Sequence, residues 1–136
     1  MNYFSVGQED KGYPLIDFVP VLLEKLPGSD LKLYFHAGET NWQGQKTDLN
    51  LFDAILLNAT RIGHGYAITK HPNAMKLAVE RNIALEVCPI SNQVLKLVED
   101  IRNHPIVELI QDGDFPLVIA PDDPGLYCIR GHSLIT

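Results

Sequence analysis

The chain has 136 residues, 46% of them hydrophobic, with 17 acidic against 11 basic side chains and a net charge of -6 at pH 7. That balance describes a globular domain. No stretch approaches the ~20 apolar residues that span a bilayer, and the chain lacks the clustered Lys and Arg that grip a nucleic-acid backbone. Cys88 and Cys128 are the two cysteines, too few for a disulfide scaffold or a Cys-rich zinc site. The opening MNYFSVGQED shows neither the basic nor the apolar region of a signal peptide.

Tyr3–Val6 is a short apolar run broken by Gly7. Val19, Leu22 and Leu23 recur at helical spacing and predict a helix that stops near Pro27 and Gly28. Leu31–His36 predicts a strand, with Leu33, Tyr34 and Phe35 running straight into His36 and with Glu39 three residues on. Phe52, Ile55 and Leu56 mark the next amphipathic helix, Arg61–Gly63 a brief strand before His64, and Ala74, Leu77 and Ala78 another helix. Ile83–Cys88 reads as a strand, and after Ser91, Asn92 and Gln93 a helix is expected to run to about Ile101. Pro105 opens a helix with Ile106, Leu109 and Ile110 on one face. Pro116–Ala120 is the last strand and runs into Pro121, Asp122, Asp123 and Pro124.

Five strands alternating with helices imply βαβ units and a parallel sheet in an α/β fold. Small or polar residues follow every strand. A doubly wound sheet concentrates function at one switch point, whereas the loops of a (β/α)8 barrel all converge on one mouth. A barrel takes about 250 residues, so residues 1–136 are expected to form a single, incomplete barrel domain; no linker, repeat or low-complexity segment divides it.

His36, His64, Asp122 and Asp123 form one chemical set. Imidazole and carboxylate donors suit zinc, and a catalytic zinc lowers the pKa of its water to about 7. Of the two aspartates, one would bind the metal and its neighbour would face the substrate. Glu39, across Gly38 from His36, is spaced to exchange protons with a substrate, and Gly63 and Gly65 leave the backbone at His64 free to approach a ligand. Each signal has a plainer reading. A histidine ending a strand is more often a hydrogen-bonded structural residue; Gly-His-Gly can be a tight turn, and Asp-Asp-Pro a turn or helix cap. Cys88 reads as a small buried residue, and His71 and His104, each followed by proline, as loop or helix-start residues. Trp42 either packs or lines a pocket mouth.

Taken in order, HAGE, RIGHG, EVCPISN and DDP resemble the adenosine deaminase family. FHAGETNWQG, TRIGHG followed by KHP, and EVCPISNQVLKLV followed by RNHP look like its secreted branch, the adenosine deaminase-related growth factors. The resemblance implies a zinc-dependent barrel, strands four to eight of which lie here, that hydrolyses adenosine or 2'-deoxyadenosine to inosine-type products and ammonia. It implies His36 and Asp122 as zinc ligands, Glu39 as proton donor to the purine and His64 as the residue that assists the attacking water. Asp123 and the backbone N–H of Gly7 match groups that hold the base. An extracellular location follows from the same resemblance, with a homodimer considered for the intact protein and neither nucleic acid nor membrane as partner. The H-x-E…P-C-x-x-C signature of cytidine-type deaminases is absent from the sequence.

Two departures bear on activity. The family's His-x-His pair occurs nowhere in these residues, which leaves two protein ligands where catalytic zinc normally has at least three. The expectation is an active parent enzyme of which this is a C-terminal part, with weak or no zinc binding and no turnover on its own. Ala120 and Pro121 also replace the small hydroxyl residue expected before the aspartates, and proline removes a backbone donor. The final LYCIRGHSLIT does not continue the family's terminal helices. The rival is a non-catalytic truncated product that keeps a nucleoside-binding or growth-factor-like surface. A relative acting on AMP or adenine ranks lower, because the local phrases match the nucleoside-specific branch.

Overall fold

A computed structural model of the chain describes residues 14–113 and 115–125. The expected strand Tyr3–Val6, the Gly7 expected to contact the base, and Cys128 and His132 lie outside them. The elements run α1 (Val19–Lys25, entered from a 3-10 turn), β1 (Tyr34–Ala37), α2 (Lys46–Leu56) and β2 (Arg61–His64). They continue with α3 (Pro72–Glu80), β3 (Ala84–Val87), α4 (Pro89–Val94), α5 (Ile106–Asp112) and β4 (Leu117–Ile119). Proline sits in the first turn of α1, α3 and α4, where its missing N–H costs nothing.

The four strands among the described residues are parallel and lie in sequence order, β1-β2-β3-β4. A doubly wound sheet reverses its strand order at the switch point; none is reversed here. Crossovers of one hand between successive neighbours put α2, α3 and α5 on a single face of the sheet. This is an arc of a (β/α)8 barrel. Phe35, Ile62, Leu85 and Leu117 turn toward the helices, where Leu51, Ala54, Ile55, Ala74, Ala78, Ile106 and Leu109 form the core with them. Alternation sends Tyr34, His36, Arg61, Gly63, Ala84, Glu86 and Val118 to the other face, the inside of the arc. There Tyr34 is 54% and Val118 42% exposed, and Arg61 reaches Glu86 at 3.1 Å while lying over the Tyr34 ring.

Two boundaries differ from expectation, and the proline before the aspartates does not disturb the sheet. The strand predicted from Leu31 begins at Tyr34, because the ladder to the next strand opens only where the Thr60 N–H donates to the Leu33 carbonyl. The helix predicted to reach Ile101 stops at Val94: Lys96 takes φ +57°, and the N–H groups of Lys96 and Leu97 return to the carbonyls of Gln93 and Asn92. That is a Schellman ending. A separate 3-10 turn covers Ile101–Asn103. Pro121 falls beyond β4, whose last ladder bond is Ala120 N–H to the Val87 carbonyl, so its missing donor leaves the sheet intact.

Candidate metal and proton-transfer site

Three of the four described strands end in residues from the chemical set. β1 delivers His36, and the turn after it, opened by Gly38 at φ +71°, delivers Glu39. β2 ends on His64. Strand alternation would send this imidazole to the helix side with Ile62, but the backbone turns left-handed at His64 (φ +65°) and again at Gly65 (φ +57°). Such φ values are uncommon outside glycine and cluster at functional sites. The imidazole ends up buried, its ring centroid 5.0 Å from that of His36 in an edge-on arrangement. Asp122 follows β4 and is also left-handed, at φ +59°.

The donor atoms of His36, Glu39 and His64 all lie within 4.8 Å of one another. Glu39 Oε1 and His64 Nδ1 approach to 3.1 Å, yet both atoms are buried without an aligned hydrogen bond. The short separation suggests an ion pair, but the surroundings oppose both charges. Burial first, and then the Asp122 carboxylate, raise Glu39 to about 7. Burial first, and then His36, lower His64 to about 4. Near neutral pH the carboxyl therefore holds a proton part of the time and the imidazole is neutral, one group able to give a proton and the other to take one. Two imidazoles, a carboxylate and two orphaned buried donor atoms in one cluster fit a divalent ion of the zinc kind.

Asp122 stands next to this cluster rather than within it. Its donor atoms are not among the three that converge, but its charge is felt by Glu39, His64 and Cys88. Asp123 is exposed. Trp42 is half-buried in the loop that leaves the site, where its backbone N–H donates to Thr40 Oγ1. Cys88 is a free, buried thiol pushed up to about 12 by burial and by the carboxylates of Asp122, Glu86 and Glu39, which removes it as a nucleophile.

Two supporting networks had no signal in the sequence. Asp48, fully buried, places both carboxylate oxygens 2.9 Å from His71 Nε2 and accepts the Gly44 N–H at 2.7 Å, closing the loop from Glu39 to α2. His104 Nδ1 accepts the Ile106 N–H, so Nε2 carries the proton that goes to Asn92 Oδ1. His71 caps the start of α3 and His104 lies in the connection just before Pro105, the N-cap of α5, in line with the loop or helix-start reading, but partners 23 and 12 residues away are invisible to local spacing.

Imidazole and carboxyl groups gathered at the strand ends of a parallel barrel arc stand where a (β/α)8 barrel places its chemistry, and their donor set is one that could hold a metal ion. The profile of the adenosine deaminase family matches residues 5–132, and the chain belongs to that family. It is 57% identical over 119 residues to the adenosine deaminase of Aedes albopictus, covering 88% of this chain and 22% of that one. It is 50% identical over 131 residues to adenosine deaminase 2 of Homo sapiens, covering 94% and 25%. The chain thus spans about a quarter of the length of these relatives. Among solved structures it resembles the adenine deaminase of Arthrobacter aurescens, with a TM-score of 0.72 and 25% identity over 88% of this chain and 35% of that one. An amidohydrolase from Burkholderia ambifaria with bound Zn shares the fold at a TM-score of 0.69 and 23% identity, over 90% and 33%.

Proposed function

We propose that these residues are part of an enzyme that hydrolyses adenosine at C6, giving inosine and ammonia. The observation that carries the proposal is the convergence of His36, Glu39 and His64 at the carboxyl end of a parallel arc, with buried donor atoms left unpaired. His36 and Asp122 are the metal ligands proposed from this chain. A bound zinc supplies Lewis acidity and a water acidified to a pKa of about 7. Glu39 gives a proton to the purine ring nitrogen beside the reacting carbon, and neutral His64 takes one from the attacking water. Asp123 and the Gly7 N–H hold the base. Adenosine is preferred to adenine or AMP as substrate because the relatives at 50–57% identity are named adenosine deaminases. Resemblance to the secreted branch supports an extracellular substrate pool.

His36 and Asp122 supply two ligands, so the 136-residue chain alone should form no inosine at ordinary enzyme rates, whatever the zinc concentration. Joined to a segment that carries a His-x-His strand, it should do so, and Glu39→Gln should lower kcat about 10²–10⁴-fold. Turnover by the joined protein that survives Glu39→Gln, or that favours AMP or adenine, would overturn the proposal.

A further inference from the structure

The two glycines that flank His64 serve different ends. Gly65 sits at φ +57°, a conformation that taxes any side chain, and a Cβ there would meet Leu85 Cδ2 at 2.6 Å. Gly63 is not among the positive-φ residues, so its backbone conformation is open to alanine. What keeps a side chain out is space, and the obstruction has one source. A Cβ on Gly63 would lie 2.7 Å from Cδ2 of His36, 3.3 Å from its Nε2 and 3.4 Å from its Cγ, and those three are the nearest heavy atoms. Strand register explains the contact: Gly63 is the Cα partner of His36 across β1 and β2, on the inner face of the arc. The imidazole lies over the bare backbone at Gly63, which is how it comes within 5.0 Å of the His64 ring.

We propose that Gly63 is a positioning residue: its missing side chain is the seat on which the His36 imidazole rests, and this seat sets the direction in which the ring presents its nitrogens to the site. His36 is exposed, so it has room to swing aside when the seat is filled. Filling the seat should therefore move the ring rather than unfold the sheet. The consequence for zinc rests on the functional reading above, in which His36 is a ligand; the seat itself does not.

The test uses the 136-residue chain as wild type, Gly63→Ala, His36→Ala and the double variant. The ring Cδ2–H cross-peak of His36, identified by its loss in His36→Ala, should shift in Gly63→Ala. The cross-peaks of His71 and His104, away from the cluster, should stay in place and the far-ultraviolet circular dichroism should be unchanged. A folded Gly63→Ala chain with an unmoved His36 peak would overturn the proposal. Should Gly63→Ala fail to fold, recovery of the fold in the double variant supports it, because the clash then depends on His36; failure of both variants overturns it. In a parallel titration with zinc alone, Gly63→Ala should weaken uptake at least tenfold relative to wild type. If the wild-type chain takes up no zinc, as two ligands alone allow, the cross-peak by itself decides the seat.

Discussion

Glu39 and His64 face each other at 3.1 Å, and their opposed shifts give the metal-free chain an unusual pH response. Glu39 is raised from 4.5 to about 7. The folded chain keeps a proton that the unfolded chain has released, so this contribution is complete below pH 4.5 and is lost as pH rises to about 7. His64 is lowered from 6.5 to about 4. Its contribution is complete above pH 6.5 and is lost as pH falls toward 4. Between pH 4.5 and 6.5 the two slopes oppose, each up to about 1.4 kcal/mol per pH unit. Relative to wild type, Glu39→Gln should therefore gain stability as pH rises through that window, and His64→Asn should lose it. Urea midpoints at half-unit pH steps would show this; three parallel curves would refute it. At this scale the sequence made the chemistry legible and left the conformation hidden. HAGE and RIGHG point to side chains that the fold brings together. Nothing in GHG announces that the histidine itself turns left-handed, or that Gly63 serves His36 rather than His64.

Helix ends separate the legible elements from the misread one. α2, α3 and α4 all close with the same pair of backbone bonds around a left-handed residue: Asn58, Asn82 and Lys96, at φ +57°, +54° and +57°. Asparagine tolerates that conformation and can mark a stop, a signal that Asn58 and Asn82 carry for α2 and α3. Lysine carries no such mark, and the apolar spacing of Val94, Leu95 and Val98 invites a helix onward toward Ile101. Lys96 bears the steric cost of the left-handed turn, and its side chain is exposed. Lys96→Gly should remove that cost and stabilise the chain by roughly 1 kcal/mol. Thermal unfolding by circular dichroism measures it, and a melting temperature equal to or below wild type would show that the Lys96 side chain holds something the turn needs.

The barrel architecture was legible because every strand-like run gives way to polar or small residues, a pattern that a single switch point does not produce. The sequential parallel order of β1 to β4 bears this out. What local spacing could not show is how the two faces of the arc differ. The helix side is closed by a core in which Leu51, Ile62 and Leu85 are completely buried. On the inner side Tyr34 and Val118 remain exposed, and among the described residues the outer edges of β1 and β4 carry no ladder partner. Unpaired parallel edges beside exposed apolar side chains favour pairing with another chain. The 136-residue chain, produced alone, should therefore associate, with a sedimentation mass that rises with protein concentration. Val118 faces the inside of the arc at the β4 edge, so Val118→Lys puts a charge where a partner strand would dock and should return the mass toward that of one chain. A single-chain mass for wild type at all concentrations, or association unchanged by Val118→Lys, would mean that the inner face is covered from elsewhere.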